Sequence, residues 1–188
     1  MRELSAYGQR MVEITIGDHK VRGREIVLPM PPSENDRLEL DYQGAKAMFN
    51  GYYRNSTRHK RGIFKNTTAY NRWINAARLA LRRGKLSAYE APVCVLLTVV
   101  FPDNRRRDPQ NREKAFFDAL TQSECVYKDD VQVALHLTEK RVIAGKSFVL
   151  AYVFALSELP QNDLAVNQDY LVKTGERIDE IEHNISAG

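Results

Sequence analysis

Two short acidic segments with basic neighbours stand out in the middle of the chain. The first, Asp103 to Asp108, contains Arg105, Arg106 and Arg107, and the second is Asp129-Asp130. Carboxylates are the hard oxygen ligands that Mg²⁺ accepts while it keeps positions open for substrate oxygens. Arginines beside them can grip phosphates in bidentate fashion. The pattern indicates a metal site that faces phosphates, and weak surface ion pairs among the same residues are the alternative interpretation.

The elements around these segments must position them. Val93–Phe101 is rich in β-branched residues, which predicts a central strand that ends just before the first segment. A helix is expected from about Arg112 to Gln122, with Lys114 near its N-terminus, where the ammonium can reach a phosphate. Val131–Thr138 then predicts another strand. The two acidic loops bracket this helix and can converge on one edge of a sheet.

Further elements follow from periodicity and turn residues. Alternating or apolar runs predict strands at Val12–Ile16, Glu25–Leu28 and Phe148–Leu156. A buried stripe at three-four spacing predicts a helix from Thr67 or Thr68 to about Arg83, with Gly84 as its C-terminal cap and Trp73 in the core. Residues 36 to 66 show no clean periodicity and are expected to form a mobile or substrate-facing loop.

Charge is segregated along the chain. The net charge is only +4, but no acid occurs from Tyr42 to Tyr89, a window that holds Arg58, Lys60 and Arg61 among eleven basic residues. Such a window favours a polyanion partner, because Lys and Arg gain affinity by releasing phosphate counterions. The alternative interpretation of this window is a basic helix face that is exposed to solvent and binds no partner. Residues 160–188 are acidic instead.

Other classes of protein are disfavoured. No apolar run approaches the length of a membrane span, and the N-terminus lacks the apolar block of a signal peptide. Cys94 and Cys125 have no metal-ligand spacing and are expected to be reduced and buried. These features predict a cytoplasmic protein.

Three stretches resemble the RusA family of Holliday junction resolvases. They are Leu28-Pro29-Met30-Pro31-Pro32-Ser33-Glu34-Asn35, the run from Pro102 to Thr121 (PDNRRRDPQNREKAFFDALT), and Asp129-Asp130-Val131-Gln132-Val133. The likeness covers roughly Ile26 to Leu156 in the order of the family. The central motif is long, so chance is a poor explanation for it.

The resemblance implies a small mixed α/β (α+β) subunit, with helices flanking its sheet, in an intertwined homodimer. It also implies binding of four-way DNA junctions and paired, symmetric nicks made with Mg²⁺ or Mn²⁺ in recombination and repair. A two-fold dimer suits a two-fold junction. In this family a phage or prophage origin is common.

The roles carry over residue by residue. Asp108 matches the first metal-binding aspartate, Asp130 the last, and Lys114 the catalytic lysine. Asn111 matches the asparagine that closes the Asp-x-Asp-Asn pattern. Arg105, Arg106 and Arg107 fall among the arginines expected to contact DNA, to which the basic window adds Arg58, Lys60 and Arg61.

Gln110 departs from the pattern, because it stands where the family has its second aspartate. A neutral amide removes one full negative charge from the metal shell and weakens the site. Three explanations stay open: an inactive member that still binds junctions, a site rewired through Glu113 or Asp129 with Gln110 as a weak neutral ligand, and a deliberate inactivating substitution. The alternative function is therefore a weakened or inactive DNA-binding or regulatory protein.

The expected organisation has three parts. Residues 1–24 form an N-terminal extension, residues 25–158 the nuclease domain and residues 159–188 an acidic tail. The tail is a candidate site for a protein partner.

Overall fold

The computed structural model describes residues 7–16, 19–40 and 64–159. Its centre is a five-stranded mixed sheet with the order β1-β2-β7-β5-β6. These strands are β1 (Gly8–Ile16), β2 (His19–Pro29), β5 (Val93–Phe101), β6 (Val133–Val142) and β7 (Phe148–Ala155). Two three-residue strands, β3 (Leu38–Leu40) and β4 (Phe64–Asn66), pair separately. The predicted mixed α+β class is confirmed.

β5 is an inner strand of the sheet, and all nine of its residues are buried. It pairs antiparallel with β7 and parallel with β6, with Val93 opposite Val133 and Phe101 opposite Val142. Burial on both faces explains why the strand is a continuous apolar run rather than an alternating one. The predicted bounds of this strand are confirmed.

Helix α1 (Thr68–Arg83) begins and ends where the sequence predicts. The hydroxyl of Thr67 accepts a hydrogen bond from the backbone N–H of Tyr70, which satisfies a free donor of the first turn. Gly84 is the C-terminal cap, although its φ of −64° is not left-handed. Trp73 packs against the core, and its indole N–H donates to the carbonyl of Pro29.

Helix α2 (Gln110–Ser123) is longer than the predicted 112–122. It begins two residues earlier, after Pro109, and the Asp108 carboxylate before that proline accepts a hydrogen bond from the backbone N–H of Gln110 at 2.9 Å. It ends at Glu124, whose φ of 58° is left-handed and stops the helix.

The two faces of the sheet carry separate apolar clusters. Both α1 and α2 pack on one face, over Val95, Leu97 and Val99 of β5. The opposite face is formed by Cys94, Leu96 and Val100 with residues of β1, β2 and β7. The packing of both helices on one face of the sheet fixes the position of α2 relative to the two ends of β5.

β1 and β2 form a hairpin within the sheet. The predicted boundary between residues 24 and 25 therefore lies inside β2, and the three-part division stays a prediction. Residues 160–188 lie outside the described part of the chain. In that part, no helix is long and apolar enough to cross a membrane.

Candidate active site

The loop after β5 is clamped by Asp103. Both terminal nitrogens of the Arg107 guanidinium donate to this carboxylate, at 2.6 and 3.0 Å, and the backbone N–H of Arg105 donates to it at 3.0 Å. Arg107 also lies over the ring of Phe101. The hydrogen bond from Arg107, followed by that from the Arg105 backbone, holds the pKa of Asp103 below its ordinary value. The clamp fixes the backbone that leads into Asp108.

The arginines of this loop have different settings. Arg105 and Arg106 are exposed, whereas Arg107 is only a quarter exposed because it is held by Asp103. Lys140 of β6 reaches the same place, since its ammonium lies 3.4 Å from the Arg107 carbonyl and over the Phe101 ring. Arg105, Arg106 and Lys140 are thus the exposed cations at this edge, with Arg105 Nε also 3.7 Å from the Asp103 carboxylate, and Arg107 braces the loop.

Asp108 and Gln110 lie together at the N-terminus of α2. Both side chains are exposed, and the one hydrogen bond joining these residues runs from the Gln110 backbone to the Asp108 carboxylate. Asn111 follows, half-buried. The partial positive charge of a helix N-terminus favours negative groups here, which suits a phosphate or a carboxylate.

Lys114 lies one turn further along α2. Its ammonium donates to the carboxylate of Asp118 at 2.5 Å. The other oxygen of Asp118 accepts from the hydroxyl of Tyr70 in α1, also at 2.5 Å. Burial, then the bond to Asp118, raises the pKa of Tyr70 far above its ordinary value, so the hydroxyl remains a donor.

Asp129 and Asp130 lie beside the start of β6. Asp129 caps a 3₁₀ turn at Asp130–Gln132: its carboxylate accepts from the Val131 N–H, and the Gln132 side chain accepts from the Asp129 N–H. The Val131 bond, followed by the Asp130 side chain, holds the pKa of Asp129 below its ordinary value. Gln132 also donates to the carbonyl of Tyr89, which ties the turn to the segment before β5.

The expectation that the two acidic loops meet at one edge is wrong within a single chain. β5 and β6 are parallel, so Asp108 follows the C-terminal end of β5 while Asp130 precedes β6 at the opposite end. The fourteen residues of α2 lie between them and span about 20 Å. A single chain therefore holds the two predicted metal ligands at opposite ends of one helix.

Neither predicted substitute for the missing carboxylate is placed beside Gln110. Glu113 turns toward β6, where its carboxylate is 3.9 Å from the imidazole of His136. Asp129 is at the other end of α2 and is used in its cap. Within the described ranges, no three His, Cys, Asp or Glu side chains lie close enough together to hold a metal ion. The residues of one chain do not complete a metal site in this part of the structure.

Comparison with protein-family models decides the relationship. The model described as Endodeoxyribonuclease RusA matches residues 49–146, which is 98 of the 188 residues. The chain belongs to the RusA family. No match emerged in the comparison with curated proteins.

The RusA match contains Asp108, Gln110, Lys114 and Asp130, so the predicted site falls within the matched region. Arg58, Lys60 and Arg61 fall within it too, but they lie outside the residues that the structure describes.

Two contacts of this RusA site were missed by sequence reasoning. Asp118 follows Lys114 by four residues, a spacing that places both on one helix face and could have identified it. Lys140 gives no such signal, because its position beside Arg107 depends on the pairing of β6 with β5.

Proposed function

We propose that this protein is a Holliday junction resolvase, a metal-dependent endodeoxyribonuclease that makes paired, symmetric nicks in four-way DNA junctions. Membership of the RusA family, with Asp108, Lys114 and Asp130 retained inside the matched region, carries the proposal. The family acts on junctions in DNA recombination and repair. We propose that this chain acts on the same substrate in the cytoplasm and has no membrane partner.

The exposed cations beside Asp108 support DNA as the substrate. Arg105, Arg106 and Lys140 are exposed on one loop and one strand end, next to the N-terminus of α2. Phosphates can bind to such a surface through charge-assisted hydrogen bonds and through the helix N-terminus. Binding by this surface should weaken steeply with salt, because each neutralised phosphate releases counterions.

A homodimer would bring the separated carboxylates together. Because Asp108 and Asp130 lie at opposite ends of α2, we infer that the metal site joins Asp108 of one copy to Asp130 of a second copy. This arrangement makes two equivalent sites related by two-fold symmetry, as a junction with two equivalent strands requires.

In the reaction, Asp108 and Asp130 would hold Mg²⁺ or Mn²⁺, which supplies charge stabilisation at the phosphate that is cut. Gln110 would be a weak neutral ligand beside Asp108. Lys114, one turn along the same helix, would donate its ammonium protons to the phosphate or to the leaving oxygen. Arg105 and Arg106 would hold neighbouring phosphates in place.

The placement of Gln110 favours a second candidate function: a RusA-like protein that binds junctions but cuts them weakly or not at all. Neither Glu113 nor Asp129 takes the place of the missing carboxylate within one chain, because Glu113 faces His136 and Asp129 caps a turn. Such a protein would act as a DNA-binding regulator, and the acidic tail would recruit a protein partner.

Cleavage of a synthetic four-way junction with Mg²⁺ or Mn²⁺ separates the two functions. For the resolvase, we expect the parent chain to make symmetric nicks that Asp108→Asn abolishes. Gln110→Asp should increase the rate of junction cleavage, because it adds a carboxylate beside Asp108. Gln110→Asn is the control, because asparagine has the size of aspartate but no charge. Junction binding without cleavage by the parent, with cleavage gained only in Gln110→Asp, would contradict the resolvase and support the binder.

A further inference from the structure

Gln110, Lys114 and Asp118 form a row along one face of α2, since each follows the last by four residues. At the end of this row, Asp118 is held from two sides. Its Oδ1 accepts from the Lys114 ammonium and its Oδ2 from the Tyr70 hydroxyl, both at 2.5 Å. A tyrosine of a different helix thereby fixes the carboxylate to which the lysine is bound.

Exposure decreases along this chain of contacts. Lys114 is half exposed, the Asp118 side chain is 22% exposed, and Tyr70 is 1% exposed. The anchor is therefore in the core, while the ammonium at the far end is within reach of solvent and substrate.

A helix-stabilising ion pair does not explain the arrangement well. Lysine precedes the acid here, and this order stabilises a helix less than the reverse. An exposed ion pair of this kind also contributes little by itself. The contact with Tyr70 is different, because it sets the direction of the carboxylate through the packing of α1 on α2.

We propose that Asp118 is a positioning residue for Lys114, and that Tyr70 positions Asp118 in turn. The proposal rests on the proposed function, in which Lys114 is the catalytic lysine. A free lysine samples many rotamers, whereas a bound one keeps its ammonium in one place. An ammonium has three protons, so one can stay with Asp118 while the others face a phosphate.

Asp118→Asn isolates this role. Asparagine keeps one oxygen that accepts from Tyr70, but it loses the charge and the second acceptor that hold Lys114. The variants are made in whichever chain cuts junctions, the parent or Gln110→Asp. We expect the single-turnover rate on saturating junction to fall by about tenfold to 100-fold, because a misplaced catalytic group costs that much. The junction Kd should change less than about twofold, because binding does not use Asp118.

A second readout does not depend on cleavage. ¹⁵N NMR of the Lys114 side chain follows the exchange of its ammonium protons with water, which a hydrogen bond slows. We expect faster exchange in Asp118→Asn. Tyr70→Phe keeps the Asp118 carboxylate but removes the hydrogen bond that it accepts from Tyr70. The effects of Tyr70→Phe on cleavage rate and on proton exchange should therefore lie between those of the parent and Asp118→Asn.

Glu13→Gln is the matched control. It breaks another lysine–carboxylate pair, Lys20 with Glu13 at 2.7 Å, on the β1–β2 hairpin, and it should leave the cleavage rate unchanged. Faster exchange and slower cleavage in Asp118→Asn, with neither effect in Glu13→Gln, support the proposal. Unchanged exchange, or faster exchange with unchanged cleavage, overturns it and leaves Asp118 only a partner for Tyr70. Absence of cleavage in both parent chains would instead contradict the proposed function itself.

Discussion

At the scale of single residues, Gln110 and Asp118 lie in the same row on α2 but differ in charge and in contacts. Gln110 is exposed beside Asp108, whereas Asp118 lies two turns along and is bonded to Lys114 and Tyr70. Asp118 is therefore committed to two partners and does not replace the charge that Gln110 lacks.

The Asp103–Arg107 pair gives a pH prediction at this scale. The pKa of Asp103 is lowered from its ordinary value of 3.8, chiefly by the bond from Arg107. A group whose pKa is lowered in the folded protein contributes stability above its ordinary pKa, and this contribution is lost as the pH falls through the lowered value. We expect the loop to stay clamped at neutral pH and to loosen only below about pH 4.

Carboxyl ¹³C NMR of Asp103 measures this directly, with a midpoint expected below 3.8. Arg107→Lys removes the two-pronged contact while it keeps the positive charge, and should move the midpoint up toward 3.8. An Asp103 that titrates at its ordinary value in the parent protein would mean that the clamp is absent in solution.

At the scale of elements, the sequence predicts some parts well for identifiable reasons. β5 has the predicted bounds because eight of its nine residues are apolar and most of them are β-branched or aliphatic, with Thr98 as the one polar member. α1 has them because Thr67 and Gly84 mark its two ends. Apolar periodicity predicts a start of α2 that is two residues too late, because Gln110 and Asn111 of its first turn are polar and do not contribute to the apolar stripe.

The position of the acidic loops could have been predicted better. The order strand, helix, strand for β5, α2 and β6 favours a parallel crossover. Parallel strands send the loop after the first strand and the loop before the second to opposite ends of the sheet. The contact of Tyr70 with Asp118 could not be predicted in this way, because 48 residues separate the two and the packing of two helices brings them together.

The 3₁₀ turn before β6 carries a prediction about Asp129. Because its carboxylate caps the turn, Asp129→Ala should lower the free energy of unfolding, whereas Asp129→Asn should lower it much less, since asparagine caps as well. Urea unfolding of the two variants measures the difference. If Asp129 only caps, Asp129→Asn also keeps the metal-dependent cleavage rate. Loss of cleavage in Asp129→Asn would instead support the explanation in which Asp129 takes part in the metal site.

At the scale of the whole molecule, the separation of Asp108 from Asp130 raises the question of whether one metal site is formed by one chain or by two. In a homodimer with sites inside each chain, a mixed dimer of Asp108→Asn and Asp130→Asn has one defect in each site, and neither site cuts. With sites shared between chains, the same mixed dimer has both defects in one site and none in the other. The two arrangements therefore predict opposite results from the same two inactive proteins.

We expect the mixture to cut. Chains with different affinity tags are coexpressed so that both variants enter one dimer, and the doubly tagged species is purified and assayed on a four-way junction. Each purified mixed dimer keeps one of its two sites, so it should make about half of the nicks made by the parent. Each junction should receive a single nick rather than a pair, because the second site carries both defects. Coexpression of two differently tagged Asp108→Asn chains is the control and should give no cleavage. An inactive mixed dimer that still binds the junction would show that Asp108 and Asp130 do not complete a shared site, and a protein that stays monomeric at working concentrations would contradict the dimer itself.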